Sequence, residues 1–153
     1  MELIEAWKLA AVGDAWELVI AGPDEKGFKR TVQQKIEANG LSSSVSFTGP
    51  LDDQAKWQAY RNAELFVLPS FNENFGIVIA EAMAAELPVL TTTGTPWRCL
   101  QENEMGWWVN PTPEKLSLAL AAATMESADS LAIKGQKSRS YVLEIFLMGS
   151  NSG

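Results

Sequence analysis

Histidine is missing from this 153-residue chain, and cysteine occurs once, as Cys99. Without imidazole, no side chain of ordinary pKa near neutrality is on hand as a general base or leaving-group partner. A single thiol excludes an internal disulfide and agrees with a reducing compartment. No metal and no cofactor is predicted. Long apolar runs are lacking too: none reaches membrane-spanning length, and Glu2, Glu5, Lys8 and Asp14 interrupt the start of the chain where a signal peptide needs a continuous apolar core. The expectation is no membrane span and a cytoplasmic location. Positive charge is scarce, with 12 Lys and Arg against 19 Asp and Glu and a net charge of −7. Nucleic acid is therefore not an expected partner, because neutralising phosphates needs clustered basic residues. Between Arg61 and Arg98 there is no basic residue at all.

What is present suits one globular domain. Hydrophobic residues make up 46% and charged residues 20%, enough to bury a sizeable core and too apolar for disorder. The pattern predicts helices over 2–12, 28–38, 52–61, 96–101, 114–125 and 128–146, and strands over 16–22, 45–48 and 106–109. Asn39-Gly40 marks a helix end, Asp52 or Asp53 a helix start, and Trp57 and Tyr60 should face the core. A single domain over 1–147 is expected, with 148–153 a fraying tail that has nothing to pack against.

The organising stretch runs from Glu64 to Gly94. Leu65 to Leu68 is a continuous apolar run closed by Pro69, which suits a strand covered on both faces. A turn over 71–76 leads into a short apolar helix over 77–85, and Pro88-Val-Leu-Thr begins another strand. That is a strand-helix-strand crossover, the unit of an open α/β sheet. Glu81 is the sole charge on the helix. It either occupies a narrow solvated stripe or has a hydrogen-bonding partner, because an unpaired buried carboxylate costs several kcal/mol or takes an unusual pKa. Glu73, at the helix entry, could border the same crevice at the strand ends, where open α/β sheets bind ligands.

The series Pro69-Ser70, Glu73, Phe75-Gly76, Glu81-Ala82-Met83-Ala84 and Pro88-Val89 resembles the E-x7-E signature of retaining glycosyltransferases of the GT-B fold, group 1 class. Phe47-Thr48-Gly49-Pro50, Tyr60, Ala63, Gly94-Thr95-Pro96-Trp97 and Gly106-Trp107-Trp108-Val109 follow in family-like order, so the resemblance extends over residues 16 to 111. Its position is that of the C-terminal, donor-binding half. The resemblance implies an α/β fold with a Rossmann-like, mostly parallel sheet flanked by helices, and a nucleotide-sugar as ligand. By the same resemblance, Glu81 would accept hydrogen bonds from the donor ribose and Glu73 would act catalytically on the transferred sugar. The backbone N–H groups of Phe75, Gly76 and Ile77 would meet the diphosphate, and Pro50 and Leu51 would border the base. Trp97, Trp107 and Trp108 could stack on sugar or simply pack.

Three departures carry expectations. The family's first central strand and its basic loop would precede residue 1. A sheet without that strand should close directly or be completed by an oligomer, since unpaired edges invite pairing. The acceptor site would come from a separate N-terminal acceptor-domain chain. Glu86 stands where the family has glycine after the helix, which costs about 1–2 kcal/mol if the backbone there is left-handed. Arg98 replaces a usual acidic residue. Besides the donor-binding half of a transferase, the residues leave open a non-catalytic subunit of a split enzyme, or a stand-alone Rossmann-like module for oligomeric interaction.

Overall fold

A computed structural model describes residues 2–21, 27–69 and 76–151, with side chains up to residue 145. Helices and strands alternate: α1 (Glu2–Ala10), β1 (Leu18–Ala21), α2 (Phe28–Ala38), β2 (Val45–Gly49), α3 (Asp53–Asn62), β3 (Phe66–Leu68), α4 (Gly76–Ala84), β4 (Val89–Thr92), α5 (Cys99–Glu102), β5 (Gly106–Val109), α6 (Pro113–Met125) and α7 (Ala128–Asn151). Every observed strand pairing is parallel, as crossover helices require. The fold is α/β with Rossmann-like parallel sheets flanked by helices.

Local chemistry sets the element boundaries. The Asp52 side chain accepts from the Ala55 N–H at 2.7 Å and starts α3, and Thr112 accepts from the Lys115 N–H at 3.2 Å and starts α6. At the end of α4, Leu87 N–H returns to the Ala82 carbonyl and Glu86 N–H to the Met83 carbonyl, both at 3.1 Å. This is a Schellman closure with Glu86 at the left-handed position, φ 67°. Helix α7 runs through Asn151, past the expected end at Phe146 and into the stretch expected to fray; residues 152 and 153 lie outside the described part.

Strand alternation divides the apolar residues between two cores. Leu18, Val45 and Leu90 belong to one core, with Val67 and Trp107 packed against it beneath α1, α2 and α6. Val89 belongs to the other, with Phe66 and Leu68 packed against it beneath α3, α4, α5 and α7. Period-two strands covered on both faces give this arrangement.

The sheet itself is in two pieces, β1-β2 and β3-β4-β5. Direct closure, one of the two expected outcomes, is therefore corrected: among the described residues no ladder joins β1 to β3. The reason lies in the layer below. Leu3, Ile4 and Trp7 of α1 pack into the same core as Leu18 and Leu90, with Leu116 and Leu120 of α6, so one helical layer spans the break and holds both pieces. On the other face of β1, Val19 remains 51% exposed.

Candidate functional site

Helix α4 carries the chemistry. Ile79, Ala82 and Met83 are fully buried along it, which fixes its rotation and aims Glu81 at α3. The Glu81 side chain keeps 20% of its surface exposed. It therefore lies neither in bulk water nor on a solvated stripe, and both of its oxygens have partners. Lys56 Nζ donates to Oε2 at 2.9 Å, and Tyr60 Oη donates to Oε1 at 3.2 Å.

These partners share one face of α3, because four residues make about one helical turn. The Tyr60 ring is wedged between Trp57 and Phe66, at 5.3 and 5.9 Å between centroids, so its hydroxyl has a set direction. Burial first, then the Glu81 charge and hydrogen bond, push the Tyr60 phenol far above its ordinary value. The phenol therefore stays a neutral donor throughout the physiological range. The Glu81 hydrogen bond likewise raises Lys56 above 10.5. Sequence reasoning missed Lys56, looking for cations between Arg61 and Arg98. The available signal was the Lys56/Tyr60 spacing on a capped helix two elements before Glu81.

A second polar set holds the chain beyond β4. Thr91 is fully buried; its hydroxyl donates to the Leu68 carbonyl at 2.9 Å and meets Thr95 Oγ1 at 3.4 Å. Thr95 donates to the Thr92 carbonyl, and the Trp108 indole N–H donates to the Thr95 carbonyl, each at 2.9 Å. The Gly94-Thr95-Pro96-Trp97 turn is thus tied to the carboxyl ends of β3 and β4. It brings Trp97 to the start of α4: a Cβ on Gly76 would stand 4.0 Å from the Trp97 Nε1. Trp107 packs against the first core, under the Lys134 ammonium at 5.7 Å. Trp107 and Trp108 thus have structural partners. Arg98 pairs at the surface with Glu102 at 2.9 Å.

The other predicted residues are placed unevenly. Gly76 is half-buried at the first position of α4, and Ile77 beside it is 74% exposed. Pro50 is exposed and Leu51 half-buried just past β2. Glu73 and Phe75 lie outside the described residues. Among the described residues no group of three or more His, Cys, Asp or Glu side chains is placed to hold a metal, and no single helix is long and apolar enough to cross a membrane.

Comparison with known proteins follows the same lines. A family model described as "Glycosyl transferases group 1" matches residues 1–139. The chain is 33% identical over 120 residues to a phosphatidyl-myo-inositol mannosyltransferase of Mycobacterium leprae, covering 77% of this chain and 30% of that protein. It is 28% identical over 127 residues to a D-inositol 3-phosphate glycosyltransferase of Mycolicibacterium smegmatis, covering 75% of this chain and 29% of the relative. The chain thus spans under a third of the length of these curated relatives. Among solved structures, the C-terminal domain of a glycosyl transferase group 1 family protein from Francisella tularensis superposes with TM-score 0.79 at 25% identity, covering 95% of this chain and 77% of that one.

Proposed function

The chain belongs to the group 1 glycosyl transferases, and from that premise we propose that it is the nucleotide-sugar-binding half of a retaining transferase. The donor is a nucleoside-diphosphate hexose, and the acceptor is held by an N-terminal acceptor domain, so the half described is incomplete for catalysis by itself. The observation that carries the reading is Glu81. A helix that buries Ile79, Ala82 and Met83 nonetheless keeps a carboxylate, one-fifth exposed and hydrogen-bonded on both oxygens.

In this reading Glu81 accepts the ribose hydroxyls. The first N–H groups of α4, at Gly76 and Ile77, have no partner within the helix and face the diphosphate, helped by the partial positive charge of the helix start. Glu73 and Phe75, which precede α4 in the sequence, take the remaining roles: Glu73 acts on the transferred sugar, where positive charge develops at the anomeric carbon, and the Phe75 N–H meets the diphosphate. Pro50 and Leu51 border the base. Calorimetric titration with UDP- and GDP-sugars tests the proposal. Saturable binding that Glu81→Ala abolishes is the expected result; no heat at millimolar ligand from folded protein leaves the interaction-module reading in its place.

The broken sheet favours one further property. β1 and β3 each have one edge without a described partner, and such edges recruit strands. We propose that a second copy of the chain meets these edges. Light scattering should then give a dimer or larger species, and a monomer over the whole accessible concentration range counts against it.

A further inference from the structure

We infer that Lys56 and Tyr60 are positioning residues that set the Glu81 carboxylate for a vicinal diol and thereby make the site select ribonucleotides over 2′-deoxyribonucleotides. The inference rests on the reading of Glu81 as the ribose acceptor. An ionised carboxylate accepts at about four lone-pair positions. Tyr60 occupies one on Oε1 and Lys56 one on Oε2, which among the described residues leaves one position on each oxygen. Two free acceptors fixed side by side match two adjacent hydroxyls, each donating once. A deoxyribose fills one of them and leaves the other oxygen short of a bond it had in water.

Selectivity of this kind needs a carboxylate that cannot turn to suit a single donor. The structure supplies that constraint from two sides. Trp57 and Phe66 wedge the Tyr60 ring, and Tyr60 itself is 8% exposed, so the phenol cannot follow a rotating carboxylate. Lys56 holds the second oxygen from the next turn of the same helix. The phenol remains protonated through the physiological range because burial and the Glu81 charge raise its pKa, so it donates at every relevant pH.

The test is titration of the whole chain with UDP and GDP and with their 2′-deoxy forms, in wild type, Tyr60→Phe, Lys56→Met, Lys56→Arg and Glu81→Gln. The readout is the ribo/deoxy affinity ratio, which a general loss of stability does not move selectively; urea midpoints identify any variant that has lost its fold. The wild-type ratio should be about tenfold or more, the worth of one charge-assisted hydrogen bond. It should fall several-fold in Tyr60→Phe and Lys56→Met and recover in Lys56→Arg. A ratio that collapses in Glu81→Gln but survives in both α3 variants overturns the inference and leaves the role of Glu81 standing. A wild type that does not bind, or binds both forms equally, overturns the role of Glu81 and the inference together. Lys56 is one-third exposed, so its variants still decide the question if Tyr60→Phe does not fold.

Discussion

Gly135 of α7 lies directly against the carbonyl of Glu86: a Cβ on Gly135 would stand 1.9 Å from that oxygen and 2.7 Å from its carbon. The contact joins the end of α4 to α7 by backbone against backbone, and Arg139, one turn on, donates from Nη1 to the Ala84 carbonyl at 2.6 Å. Neither partner in the Gly135 contact is a flexible side chain that could move aside. Gly135→Ala should therefore destabilise the protein by about 1–3 kcal/mol, as overpacking of a tight contact does. The urea midpoint should fall at unchanged slope, and an unchanged midpoint would contradict the contact.

Glu86 should respond in the opposite sense. Its φ of 67° costs a side-chain-bearing residue about 1–2 kcal/mol, whereas glycine adopts it freely at an unfolded-state entropy cost of about 0.5–1 kcal/mol. Its ion pair with Arg139, 3.9 Å apart with both side chains about half exposed, contributes little. Glu86→Gly should raise stability by about 0.5–1 kcal/mol and the melting temperature by about 2 °C; a drop in melting temperature would show the surface pair to matter more than the backbone.

Thr91→Val removes a hydroxyl of nearly the same volume from a fully buried position. The Leu68 carbonyl and the Thr95 hydroxyl both lose a neighbour at hydrogen-bonding distance. A cost of about 1–3 kcal/mol is expected, read by thermal unfolding. A neutral substitution would mean that the turn at Gly94 to Trp97 is held by Trp108 rather than by the threonines.

Alkaline pH should weaken the fold through α3. Burial and then Glu81 raise Tyr60 above its ordinary 10.0, and the Glu81 hydrogen bond raises Lys56 above 10.5. Both protons are held more tightly folded than unfolded. Their contribution is complete below about pH 10 and disappears as pH climbs through the raised values. Urea midpoints measured near pH 8 and near pH 11 should fall in wild type and fall less in Tyr60→Phe. Equal losses in the two proteins would place the alkaline sensitivity elsewhere.

The residues that were legible in advance share one property: their conformation is decided within a few positions along the chain. Asp52 caps the helix it precedes. Glu86 stands where the family resemblance has a helix-ending glycine, and its backbone is left-handed. That Glu81 takes either a partner or a narrow solvated stripe could likewise be read from the apolar residues around it. Its partners could not, because Lys56 and Tyr60 lie on another helix and reach Glu81 only once α3 and α4 pack. The glycine under Glu86 was invisible for the same reason: nothing near Gly135 in the chain announces a backbone contact with α4. Which of the two expected outcomes the sheet takes could not be read along the chain, because a strand's partner depends on which layer spans the break, and α1 with α6 spans it here.

From the residues in order came the alternation of helices and strands, the caps, the strained turn after α4 and the family pattern, since each depends on short-range sterics and hydrogen bonding or on residue order. Packing alone decided that a lysine and a tyrosine would take one lone pair on each oxygen of Glu81, that α7 would rest on the end of α4, and that β1 and β3 would not pair. Those outcomes join residues tens of positions apart, and what joins them is the burial of two apolar layers, a quantity that exists only when the whole chain is folded.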